Sequence, residues 1–92
     1  MFYLAAALVA ASSAPAFHYA AEPVATPPAA RFVIRDTIWK CGPRGCVGSE
    51  SNSRPAVICA ALVKEVGALR VFSTAGKPFA AQELEKCNAS AR

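Results

Sequence analysis

The stretch RFVIRDTIWKCGPRGC, from Arg31 to Cys46, decides the fold. Residues 31–40 are rich in β-branched and aromatic side chains, a composition that is typical of a β-strand. Two glycines and a proline then separate Cys41 from Cys46, so the chain must turn between them. A four-residue turn would place both cysteines opposite each other on a hairpin, at a distance that suits a disulfide.

A helix is predicted over about 54–66, after a polar loop. Ser53 can cap its start, Pro55 fits its first turn, and Gly67 fits the position that ends it. Its apolar residues recur at helical spacing. They are Ile58, Cys59, Leu62, Val63 and Val66.

A second strand and a second helix complete the prediction. Residues 68–73 alternate as a strand, and Ala75-Gly76-Lys77-Pro78 ends that strand. A short helix over 79–89 would carry Ala80, Leu84 and Cys87 on one face. The order strand or hairpin, helix, strand, helix predicts one small α+β domain over residues 31–92.

The predicted core of this domain is thin. It contains Phe32, Ile34, Ile38, Val57, Ile58, Leu62, Val66, Leu69, Val71, Phe72 and Leu84. A domain of this size buries little apolar surface, so we expect covalent cross-links to supply part of its stability.

The four cysteines predict two disulfides, because an even number in a short exported chain is typical of that framework. Cys59 and Cys87 lie on the apolar faces of the two predicted helices, so the favoured pairing is Cys41–Cys46 with Cys59–Cys87. Two other pairings stay open. A metal site or free thiols are the alternatives, although the paired C-x2-C spacing of zinc sites is missing.

The N-terminal part predicts export. Residues 1–16 begin with an apolar run of 11 residues and end in Ala14-Pro15-Ala16, the pattern of a signal peptide with its cleavage site. No basic residue precedes the run, and a buried N-terminal helix is the alternative. Residues 17–30 are rich in proline and alanine and predict a flexible tether. We therefore expect a periplasmic or secreted protein with no transmembrane segment after cleavage.

No catalytic constellation is visible, and we expect neither an enzyme nor a cofactor or metal site. The single histidine, His18, lies in the predicted tether. The partner stays unknown: the net charge of +4 is compatible with contact with an envelope component or another anionic surface, a solvated basic face is the alternative, and the charge is too weak to favour nucleic acid. The candidate binding residues are Trp39, Lys40, Arg44 and Arg54. Trp39 has an alternative reading, in which its ring packs on a disulfide.

The best-fitting function is thus a non-catalytic binding or envelope-associated module. The alternative is a thiol-disulfide redox or thiol-stress protein in which the Cys41–Cys46 pair is reduced and reoxidised. Its C-x4-C spacing differs from the C-x-x-C of dithiol oxidoreductases.

Several segments together resemble a family of small exported alphaproteobacterial four-cysteine proteins of unknown function. The resemblance covers residues 31–89. It is carried by RDTIWKC (35–41), GCV (45–47), SRPAVIC (53–59), Val66-Gly67 and KCN (86–88). It implies a periplasmic or secreted bacterial protein and implies no particular activity.

Overall fold

The computed structural model describes residues 17–91, which form six β-strands and two α-helices. The elements are β1 (Tyr19–Pro23), β2 (Arg31–Ile34), β3 (Thr37–Gly42), β4 (Gly45–Gly48), α1 (Pro55–Val66), β5 (Leu69–Thr74), β6 (Lys77–Pro78) and α2 (Ala81–Asn88). All six strands belong to one sheet in the order β2-β3-β4-β1-β5-β6, and neighbouring strands are antiparallel. The predicted α+β class is confirmed.

Strand β1 lies in the interior of the sheet, between β4 and β5. The predicted flexible tether over residues 17–30 is therefore wrong for Tyr19–Pro23. Tyr19 and Ala21 are buried and alternate with more exposed neighbours, as a strand with one covered face requires. Residues 24–30 contain no helix or strand. The predicted signal peptide over residues 1–16 lies outside the described residues.

The predicted single strand over residues 31–40 is two strands, β2 and β3, joined by a tight turn at Arg35 and Asp36. Arg35 has a φ of 56°, in the left-handed region that reverses the chain. Ile34 consequently pairs with Thr37. After the turn the odd-numbered residues face the core, whereas in one continuous strand the even-numbered residues would do so. For this reason Trp39 is buried, whereas Ile38, a predicted core residue, is 50% exposed.

Helix α1 spans nearly the predicted residues and ends at Gly67, whose φ of 87° suits a glycine. Its N-cap is Arg54 and not the predicted Ser53, and no side chain caps it. The five predicted apolar residues of its stripe are all buried, whereas Val57, also assigned to the core, is 39% exposed. A 12-residue helix places position 57 on a different face from that stripe.

The core lies between α1, α2 and one face of the sheet. Its largest buried side chains are three aromatic residues that pack together. The Tyr19 ring centroid is 6.1 Å from that of Trp39 and 5.7 Å from that of Phe72. Gly48 makes room for this cluster, because a Cβ there would lie 2.9 Å from Cδ2 of Trp39. On the opposite face of the sheet, Val33 is 65% exposed.

Candidate functional site

The two disulfides join Cys41 to Cys46 and Cys59 to Cys87, which is the pairing that the sequence favoured. Cys41 and Cys46 are directly opposite each other on β3 and β4, with Cα atoms 4.0 Å apart. Cys59 and Cys87 connect α1 to α2, with Cα atoms 5.8 Å apart. One bond therefore closes a local hairpin, and the other fastens the two helices that cover the sheet.

The disulfides differ in accessibility. Cys59 and Cys87 are 0% and 5% exposed, so this disulfide is largely shielded from solvent. Cys41 is half-buried and lines an open cleft of about 520 Å³. The segment 22–30 forms one wall of this cleft, and Arg44 and Arg70 also line it.

The four residues predicted to form one binding surface lie in different places. Trp39 is fully buried in the aromatic core, so its assignment to a binding surface is wrong. The turn at residues 35–36 is the reason, because it directs position 39 to the covered face of the sheet. Arg44 lines the cleft beside Cys41, and Arg54 precedes α1. Lys40 is exposed on β3 and pairs with Val47.

A second cavity, of about 710 Å³, lies between α1, α2 and the β5–β6 hairpin. We call it the helix–hairpin groove. It is lined by Arg54, Pro55, Ala56, Ala60, Thr74, Lys77, Pro78, Phe79, Glu83, Lys86 and Cys87. Its volume falls within the range of about 300–1,000 Å³ that is typical of small-molecule sites. Sequence reasoning identified only Arg54 of this set as a binding residue.

The groove combines an apolar interior with a basic border. Phe79 contacts the core, where its ring centroid is 4.8 Å from that of Phe72. Arg54, Lys77 and Lys86 are exposed and come from three separate segments of the chain. Among the described residues that line the groove, Glu83 alone carries a carboxylate, and its Oε1 accepts a hydrogen bond from the Ala80 N–H at 3.0 Å.

His18 is part of the ordered domain. Its Nε2 lies 3.2 Å from Oγ1 of Thr74, and its backbone N–H donates to the Gly48 carbonyl at 2.8 Å. Its carbonyl accepts from the Ala75 N–H. The expectation that His18 lies on a flexible tail is therefore wrong, and the residue fastens the start of β1 to both neighbouring strands.

Two groups have shifted acidities. Asp36 accepts hydrogen bonds from the Ser51 hydroxyl and then from the Asn52 N–H, and these lower the pKa of its carboxyl below 3.8. Burial, followed by the charges of Asp36 and Glu50, raises the pKa of the Tyr19 phenol. Within residues 17–91, His, Cys, Asp and Glu side chains form no cluster of three or more that could hold a metal ion.

The fold and its cross-links define a small α+β domain with two disulfides. The chain belongs to a family of unknown function, DUF8200, whose model matches residues 2–89. No curated protein and no solved structure matches the chain. In the part of the chain that the structure describes, neither helix has the length and apolarity that crossing a bilayer requires.

Proposed function

We propose that this protein is an exported binding module that acts without catalysis in the periplasm or outside the cell, on an envelope component or another anionic surface. The observation that carries the proposal is the pair of disulfides, one in the sheet and one between the helices. Structural disulfides persist mainly in oxidising compartments, and small domains in those compartments commonly depend on them. The signal peptide predicted over residues 1–16 agrees with this compartment.

The exposed cations support an anionic partner. Lys40, Arg44 and Arg54 are all exposed, as are Lys77 and Lys86. The net charge of the chain is +4, so the average field favours negative surfaces.

The proposal is tested in two stages on the protein produced from its own gene. Cell fractionation with thiol labelling should recover the protein outside the cytoplasm, with all four cysteines unreactive and without Met1. The purified, disulfide-bonded protein should then retain an envelope component in a saturable and salt-sensitive manner. Cytoplasmic protein with four free thiols would disprove export, and envelope fractions that yield no retained component would disprove the binding role.

A second candidate function is thiol-disulfide exchange at Cys41–Cys46. The partial exposure of Cys41 in an open cleft favours it, because exchange requires access of a thiolate to sulfur. Arg44 lies in the same cleft and would favour a thiolate after reduction.

Stepwise reduction separates the two candidates. The protein is equilibrated in glutathione buffers of graded potential, alkylated, and mapped by mass spectrometry. Reduction of Cys41–Cys46 at potentials near −180 to −210 mV, with Cys59–Cys87 intact, would favour the redox function. Retention of both bonds below about −300 mV would indicate purely structural disulfides and would eliminate it.

A further inference from the structure

We propose that the helix–hairpin groove binds a single-chain anionic amphiphile, with its aliphatic chain in the groove and its carboxylate among Arg54, Lys77 and Lys86. This inference rests on the proposed binding function and names its ligand class. The groove comprises the start of α1, the residues around β6 and one face of α2. None of these three elements provides the site alone.

The interior of the groove suits an aliphatic chain. Ala56 and Ala60 line it from α1, and Phe79 lines it from the segment after β6. The small alanine side chains leave the space that the chain would occupy, while Phe79 is fixed by its packing against Phe72. Each methylene that a ligand buries against apolar surface of this kind strengthens binding about fourfold.

The border of the groove suits one negative charge. Arg54, Lys77 and Lys86 contribute three cations, and the carboxylate of Glu83 is already directed to the Ala80 N–H. Arg54 and Pro55 also bring the N-terminal end of α1 to the border, where the helix dipole adds further positive potential. A neutral or cationic amphiphile of equal length would lack this attraction.

The size of the groove favours a monomeric ligand over a macromolecular surface. Its volume of about 710 Å³ is that of a small-molecule pocket. The groove is bordered by residues of both helices and of the hairpin, which suits a ligand that fits within its volume. The ligand is therefore a free fatty-acid-like carboxylate and not the surface of an intact bilayer.

Isothermal titration calorimetry with decanoate tests the inference on the disulfide-bonded protein. Octanoate should bind about fifteenfold more weakly, because two fewer methylenes are buried. The alcohol 1-decanol and the cation decyltrimethylammonium should both bind more weakly than decanoate. These comparisons use the unaltered protein and do not depend on the folding of any variant. Equal binding of the three decyl compounds, or no binding of decanoate at millimolar concentration, would overturn the inference.

A charge-matched pair of variants locates the site. The double variant Lys77→Gln/Lys86→Gln should lower decanoate affinity about three- to tenfold, because it removes two exposed cations at the opening. The control Arg31→Gln/Lys64→Gln removes the same net charge from exposed residues outside the groove and should change affinity less than twofold. Equal losses in both variants would disprove this location.

Other outcomes distinguish this inference from the broader proposal. If the protein retains an envelope component but does not bind decanoate, the ligand assignment fails and the binding function stands. Sedimentation experiments could instead show a dimer that decanoate does not dissociate and that Lys77→Gln/Lys86→Gln weakens. That result would assign the groove to a second copy of the chain and overturn the inference.

Discussion

Gly48 lies directly opposite Trp39 in the β3–β4 pair, and the indole occupies the space that a side chain at position 48 would need. A Cβ there would lie 2.9 Å from Cδ2 of Trp39 and 3.0 Å from Cγ2 of Thr37. The glycine and the tryptophan are therefore complementary parts of one packing arrangement, and neither tolerates independent change.

The substitution Gly48→Ala should destabilise the protein by about 1–3 kcal/mol, because the added methyl group overpacks a region bounded by rigid groups. Urea unfolding followed by tryptophan fluorescence measures the change. Gly42→Ala is the matched control, since a Cβ at position 42 would meet no atom within 4 Å. If both variants were equally stable, the proposed complementarity with Trp39 would be wrong.

Asn88 connects the end of α2 to the start of β5 through two hydrogen bonds. Its Oδ1 accepts from the Leu69 N–H at 2.8 Å, and its Nδ2 donates to the Leu69 carbonyl at 2.9 Å. Asn88→Ala should lower the free energy of unfolding by about 1–3 kcal/mol, because both backbone groups lose their partner. Thermal unfolding tests this. The exposed Gln82→Ala, in the same helix, should change stability by less than about 0.5 kcal/mol.

The two disulfides should contribute unequally to stability. In the chain-entropy account, the Cys59–Cys87 bond, with a separation of 28, contributes about 3.6 kcal/mol, and the Cys41–Cys46 bond, with a separation of 5, about 2.2 kcal/mol. The variant Cys59→Ala/Cys87→Ala should therefore unfold at a lower urea concentration than Cys41→Ala/Cys46→Ala. The reverse order would show that the hairpin bond has the larger structural role.

Asp36 should make stability depend on pH in the acid range. Because its pKa is lower in the folded protein than the ordinary 3.8, the ionised carboxylate stabilises the fold. That contribution is present above pH 3.8 and is lost as the pH falls through the lower folded value. In Asp36→Asn, melting temperatures measured between pH 2 and 6 should fall less steeply below pH 3.8 than in the unaltered protein. Parallel curves would exclude Asp36 as a source of the dependence.

Local patterns predicted much of this fold. The turn residues between Cys41 and Cys46 placed the hairpin, and apolar spacing placed α1 with all five residues of its stripe. Both features depend on interactions between residues that are near in sequence. The bulk of β5 was predicted for the same reason, because its alternation is visible in six residues.

The remaining features depend on contacts between distant segments. Strand β1 has only five residues, and of its two buried residues, Tyr19 and Ala21, only the tyrosine is a strong strand former, so its composition resembled a tether. The turn at Arg35 and Asp36 contains no glycine, proline or asparagine, and a single aspartate was too weak a turn signal to divide β2 from β3. The helix–hairpin groove requires three elements to pack together, and only Arg54 of its border was identified beforehand.

The interior place of β1 sets the order in which the chain can complete its structure. Tyr19–Pro23 pairs with β5, about fifty residues later in the sequence. A chain delivered from its N-terminus, whether from a ribosome or through a translocation pore, must hold β1 unpaired on that side until β5 has emerged. The β1–β5 pairing consequently forms only after β5 is available, and a fragment that stops before β5 would leave that edge of β1 unpaired.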